Sequence, residues 1–218
     1  MEVDLDGHPG LLRRPRDARS LLVLAHGAGA GMRHAFMEAI AEALAARAVA
    51  TLRWEFPFMA AGKARPDAPA IAEAAVRTVW TAAQARYGTL PMFAGGKSFG
   101  GRMTSRAHAA APLPGLRGLV FLGFPLHPPE QPAKWIERSE HLARARGRML
   151  FLSGDRDALA DLALLRPVVA GLGRRARLHV VAHADHGFDV LVRSGRTGAE
   201  VMVELADAVA AWQRRGVR

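Results

Sequence analysis

Three residues of this chain have the types and spacing for nucleophilic chemistry: Ser98, Asp157 and His186. Ser98 lies in Gly96-Lys97-Ser98-Phe99-Gly100, a G-x-S-x-G pattern at the end of an apolar run that begins at Leu90. A serine on a sharp strand-to-helix turn sits in a strained backbone, and glycines two residues to either side remove collisions with the neighbouring strand and the following helix. A serine hydroxyl is a weak nucleophile at its own pKa. It needs an imidazole to take its proton, and the imidazole needs a carboxylate to fix its tautomer and stabilise its charged form. His186 in Asp185-His186-Gly187-Phe188 and Asp157 in Ser153-Gly154-Asp155-Arg156-Asp157 are the candidates. Asp155 competes for the acid role but suits a turn-capping carboxylate, and Asp185 is adjacent to the histidine, where side chains rarely face one another.

The same chemistry requires donors for the charge that develops on a carbonyl oxygen, each worth about 3 to 4 kcal/mol in favourable cases. The N–H of Phe99 follows the nucleophile at the start of a helix. Ala28, within His26-Gly27-Ala28-Gly29-Ala30-Gly31, is the second candidate, with Gly29 behind it, because small residues let the backbone approach a substrate. His26 is expected to order that loop through backbone hydrogen bonds. His127, in a proline-rich stretch, fits a structural or a pocket-lining role equally.

These residues must be positioned by a scaffold, and the hydropathy pattern predicts one. Strand-like apolar runs at 20–25, 49–53, 90–94, 118–123, 148–153 and 176–181 alternate with helical periods over about 34–47, 69–86, 100–111, 134–144, 159–171 and 198–214. This is the rhythm of a mostly parallel sheet covered by helices on both faces, and in such sheets ligands bind at the carboxyl ends of the strands. In the third helix Ile71, Ala75, Val79 and Ala82 fall on one face, with Asp67 or Ala68 at the cap. In the last, Val201, Leu205, Val209 and Trp212 are spaced to face the sheet. The segment from Phe56 to Pro69 reads as a loop, and Phe124 to Pro129 as a rigid loop running over the sheet edge. No repeat or long linker interrupts the 218 residues, so a single domain over 1–218 is expected.

Composition narrows the function classes. The absence of cysteine excludes disulfides and thiolate metal sites. No apolar run reaches the roughly 18 to 20 residues of a membrane span, and the acidic start Met1 to Asp6 does not read as a signal peptide, so we expect a cytoplasmic protein. The formal charge of +10 could attract nucleic acid, but the basic residues are scattered without interleaved aromatics, so no nucleic-acid partner is expected. His179, His183 and His186 lack a metal-ligand frame, so neither a metal nor a cofactor is expected. Gly96-Lys97-Ser98 also matches the end of a phosphate-binding loop. That loop needs a glycine where this chain has Pro91, and an open loop where the chain has a strand. On the nucleophile reading Lys97 points away from Ser98 and fixes a neighbouring loop.

Taken together, Leu24 to Gly31, Arg53-Trp54-Glu55-Phe56-Pro57-Phe58-Met59, Gly95 to Arg102, Phe124 to Pro129, Ser153 to Asp157 and Asp185 to Phe188 resemble the α/β-hydrolase superfamily, and within it the small KANL/Tex-type, dienelactone-hydrolase-like branch. The order serine, aspartate, histidine agrees with that arrangement. The resemblance implies a three-layer α/β fold with little or no cap domain and a Ser98, Asp157, His186 triad. The chain departs from the branch after the acid, where Ala158-Leu159-Ala160 replaces the usual proline and glycine. The expected activity is serine hydrolysis of a small-molecule ester or related acyl bond, of carboxylesterase type. The alternative is a non-catalytic binding or scaffold protein with a vestigial triad, since a fold does not by itself carry a function. Substrate identity is expected to depend on pocket depth, on the loops Phe56 to Pro69 and Phe124 to Pro132, and on how open the site is.

Overall fold

A computed structural model describes residues 1–215. In chain order the elements are β1 (Glu2–Asp4), β2 (Pro9–Arg13), β3 (Ser20–Ala25), α1 (Ala35–Ala45), β4 (Val49–Trp54), α2 (Pro57–Ala60), α3 (Pro69–Tyr87), β5 (Met92–Lys97), α4 (Phe99–Ala110), β6 (Leu116–Leu122), α5 (Trp135–Ser139), β7 (Met149–Gly154), α6 (Leu162–Gly171), β8 (Ala176–Val181) and α7 (Gly198–Arg214). The strands form one sheet of eight in the order β1-β2-β4-β3-β5-β6-β7-β8. From β4 to β8 the pairings are parallel, and only β1 with β2 and β2 with β4 are antiparallel.

Strand residues alternate between the two faces, so a strand buried on both sides reads as a continuous apolar run. Leu21, Val23, Leu119, Phe121 and Phe151 join one core cluster with residues of α3, α4 and α6. Leu22, Leu24, Val120, Leu122 and Leu152 join the other with residues of α1 and α7. The result is a three-layer α/β fold, with the mostly parallel sheet covered by helices on both faces that the sequence pattern predicts. The excursion between β6 and β7 holds only α5 and single turns of 3₁₀ helix, so no cap domain stands over the sheet among the described residues.

Several expected elements differ in the structure. The helix expected over 134–144 is broken into 3₁₀, α and 3₁₀ pieces between Pro132 and Ala143. The helix expected from 159 begins at Leu162, because the Asp161 side chain caps it by accepting the Ala163 N–H at 2.8 Å. Ile71 is 51% exposed, so the buried face of α3 runs instead through Ala72, Ala75, Val76 and Val79. Ala68 does occupy the cap of α3, but Asp67 accepts the Phe58 N–H at 2.8 Å and thereby holds the short α2. The Phe124 to His127 exit is buried rather than draped over an edge, because β6 lies inside the sheet between β5 and β7. No helix among the described residues is long and apolar enough to cross a membrane.

The chain runs from β3 outward to β4, then crosses back to β5 on the other side of β3. The loops leaving β3 and β5 therefore diverge, which opens a crevice at the carboxyl ends of these strands. That crevice is where the polar residues gather.

Candidate active site

The strand expected to end at Ala94 continues through Gly95 and Gly96 to Lys97, and Ser98 follows at φ 48° and ψ −117°. This backbone conformation is one that L-residues rarely adopt, and such strain is held only where the surroundings impose it. The surroundings are close. A Cβ on Gly96 would lie 2.5 Å from the Ala25 carbonyl oxygen, and one on Gly100 would lie 2.4 Å from that of His26. The Ser98 N–H donates to the Leu122 carbonyl at 3.0 Å, tying the turn to β6. These contacts give both flanking glycines a steric reason.

His186 comes from the loop between β8 and α7. Its Nε2 lies 2.9 Å from Ser98 Oγ, and its Nδ1 lies 2.9 Å from each carboxylate oxygen of Asp157. The Asp157 side chain is fully buried and that of His186 is 23% exposed, so the line runs from the interior to the crevice. A carboxylate only accepts, so Nδ1–H donates to Asp157 and Nε2 is left to accept the Ser98 hydroxyl proton. The substituted stretch after the acid keeps Asp157 oriented by other means. The Leu159 N–H donates to Asp157 Oδ1 at 2.8 Å. The His127 N–H holds the Leu159 carbonyl at 3.0 Å, and His127 Nε2 accepts the Asp161 N–H at 3.2 Å. The buried His127 thus has a structural place beneath the acid loop, not one in the crevice wall.

The remaining candidates divide clearly. Asp155 is exposed, and its N–H donates to the Val181 carbonyl. Asp185 Oδ1 accepts the N–H groups of Gly187 and Asp189 at 2.8 and 3.0 Å, folding the histidine loop as a turn. His179 Nε2 donates to Glu204 at 2.7 Å. His26 is fully buried. Its Nε2 accepts the Phe56 N–H at 3.1 Å, so Nδ1 carries the proton and donates to the Gly27 carbonyl at 2.6 Å. Burial pushes the His26 imidazole below its usual pKa, which keeps this neutral tautomer. The loop it shapes passes beside the nucleophile: a Cβ on Gly27 would be 3.9 Å from Ser98 Cβ. Ala28 follows on that loop, in the crevice wall, and the Phe99 N–H begins α4, where no intrahelical acceptor exists for it.

The crevice is a cleft of about 690 Å³. Its wall combines Gly27 to Ala30, residues of the first turns of α1 including Phe36 and Met37, the stretch His186 to Asp189, and Met202 of α7. Neither Phe56 to Pro69 nor Phe124 to Pro132 lines this cleft. Phe56 and Phe58 instead pack edge-on against His26 and Phe99, with Phe56 5.2 Å from Phe99 between ring centroids, and so buttress the site from below. The α1 and α7 residues of the wall were missed because apolar residues at helical spacing look the same whether they face a core or a cleft. Lys97 was expected to point away from the nucleophile and fix a neighbouring loop, and its Nζ donates to the His186 carbonyl.

Solved structures share this architecture. A dienelactone hydrolase from Anabaena variabilis aligns with all of this chain and 97% of its own at a TM-score of 0.76 and 20% identity. An α/β serine hydrolase homologue from Coxiella burnetii covers 95% of both chains at 0.74 and 16%. A lidless α/β serine hydrolase from Xanthomonas campestris covers 97% of this chain and 94% of its own at 0.72 and 19%. At these identities the likeness is one of fold. A sequence model of the alpha/beta hydrolase domain matches residues 18–214, nearly the whole chain, and by that match this protein belongs to the α/β-hydrolase family.

Proposed function

We propose that this protein is a serine hydrolase that cleaves an ester or related acyl bond through an acyl-enzyme. The observation that carries the reading is the unbroken line from Ser98 Oγ through His186 to Asp157, each step 2.9 Å. Ser98 Oγ attacks the carbonyl carbon while His186 Nε2 takes the hydroxyl proton. Asp157 holds the imidazole by Nδ1 and stabilises the imidazolium so formed. The N–H groups of Phe99 and Ala28 receive the oxyanion, the helix dipole of α4 favouring negative charge at Phe99. His186 then returns the proton to the leaving alcohol, and a water activated by the same nitrogen releases the acyl group and regenerates Ser98.

The apolar side of the cleft, formed by Phe36, Met37 and Met202, favours a small substrate that places an uncharged acyl or alkyl group there, since those side chains offer a charged group no hydrogen bond. The test is steady-state hydrolysis of p-nitrophenyl acetate. Ser98→Ala should abolish turnover with the fold intact by circular dichroism, and undiminished hydrolysis by that variant sinks the assignment.

A further inference from the structure

The hydrolytic reading assigns no step to one partly buried cation in the crevice. Lys97 ends β5 next to the nucleophile, and strand alternation turns its side chain to the face of Phe93, where α1 and α7 pack. There its Nζ donates to the backbone carbonyl of His186. The ammonium lies 5.3 Å from the ring centroid of Phe188 and 5.7 Å from that of Phe36, and these two rings stack on each other at 5.7 Å and 15°. Space for it exists because residue 123 is glycine: at φ +69° a Cβ there would be 3.1 Å from Lys97 Nζ and 3.3 Å from His186 Cε1. The lysine, the catalytic base and the exit of β6 are therefore fitted together.

We propose that Lys97 is a positioning residue of the reaction: by holding the His186 carbonyl between β5 and the two phenylalanine rings, it fixes the loop that keeps Nε2 on the Ser98 hydroxyl. This rests on the serine-hydrolase reading. The histidine loop is held to the exit of β7, where the Arg156 N–H donates to the Ala184 carbonyl at 2.9 Å and Asp157 accepts from His186 Nδ1, and Asp185 shapes its turn, but none of these contacts ties its backbone to β5, the strand that leads to Ser98. Lys97 makes that tie. An ammonium donates a stronger hydrogen bond than a neutral amine, so the tie depends on charge. Burial pushes the Lys97 ammonium down to about 8, opposed by the carboxylates of Asp157 at the exit of β7 and of Asp185 and Asp189 in the histidine loop. From α1 the facing group is the uncharged Phe36 ring, with His34 at the helix cap in the same cleft wall, and from β6 it is Gly123. The tie consequently weakens as pH rises through about 8.

The test follows hydrolysis of p-nitrophenyl acetate and the rate of Ser98 modification by a fluorophosphonate, from pH 6 to 10, in the wild type, Lys97→Met and Lys97→Gln. Misplacement of a catalytic group by about 1 Å can cost on the order of 100-fold in rate. We expect Lys97→Met to lose kcat on that scale with KM within about threefold of wild type, Lys97→Gln, which keeps an uncharged donor, to recover part of the loss, and both to lack the alkaline limb expected of the wild type. Thermal unfolding checks that the variants fold. Equal labelling rates and an unchanged alkaline limb in Lys97→Met overturn the proposal while leaving the hydrolase reading in place. Should neither variant fold, a wild-type labelling rate that does not fall between pH 7 and 9 overturns it. A wild type that is not labelled at Ser98 overturns both.

Discussion

A glycine at Ser98 should make the protein more stable than an alanine there, both without activity, and the size of the difference follows from the backbone. At φ 48° and ψ −117° Ser98 occupies a region that costs a residue with a Cβ about 1 to 3 kcal/mol. Glycine takes that conformation without the steric penalty but loses roughly 0.5 to 1 kcal/mol through its greater freedom in the unfolded chain. The difference is a net stabilisation of about 1 kcal/mol. The proper reference is Ser98→Ala, not the wild type, because both variants lose the 2.9 Å contact between the hydroxyl and His186 and differ in the Cβ alone. For a chain of this size 1 kcal/mol corresponds to about 2 to 4 °C in Tm. Thermal unfolding followed by circular dichroism should therefore place Ser98→Gly a few degrees above Ser98→Ala, both without hydrolytic activity. A Ser98→Gly protein that melts at or below Ser98→Ala would refute the claim that the turn stores strain at the nucleophile.

Two further outcomes are expected. Asp157→Asn keeps the shape of the acid but presents an amide to Nδ1, which favours the wrong imidazole tautomer. Esterase kcat should fall by roughly 10⁴-fold, and a variant within tenfold of wild type would mean that Asp157 does not orient His186. The second concerns acid stability. His141 is buried, with Nε2 2.8 Å from Ser105 Oγ, and burial together with the charges of Arg102, Arg106 and Arg144 pushes it down to about 3. Between that value and its ordinary 6.5 the unfolded chain binds a proton that the folded chain does not, so stability is lost as pH falls through this window. His141→Gln should flatten that loss in urea unfolding between pH 6.5 and 4, and an unaltered pH slope would count against it.

What could be read from the residues depended on how local the determining physics is. The last helix was expected over 198–214 and runs from Gly198 to Arg214, because a capping box between Thr197 and Glu200 marks its start and the apolar face is regular. Strands β3 and β8 match their apolar runs for the same reason. Strand β5 was expected to stop at Ala94 because glycine discourages strands. It continues because the backbones pack so closely there that a Cβ on Gly95 would sit 1.9 Å from the Val120 carbonyl, a contact between distant parts of the chain. Nothing in the apolar pattern marks the short β1 and β2. They are rich in polar residues, glycine and proline, and their strand character comes from pairing with β4. At the candidate site, Ser98, Asp157 and His186 stood out since each sits in a loop with turn chemistry around it. The acid loop departs from the family pattern, yet hydrogen bonds from Leu159 and His127 that no spacing reveals bring Asp157 to His186. The aromatic wall of Phe36 and Phe188 around Lys97 was hidden for a similar reason, being assembled from α1 and a loop whose phenylalanines are 152 residues apart.

The central claim is that Ser98 is a nucleophile activated by His186. Mass spectrometry of the intact protein and its peptides after exposure to a fluorophosphonate tests it most directly. The account predicts one covalent adduct per chain, on Ser98, formed by the wild type and absent from Ser98→Ala and from a His186→Ala variant. A wild-type protein that stays unmodified under conditions that label a known serine esterase, or an adduct that persists in Ser98→Ala, would contradict it.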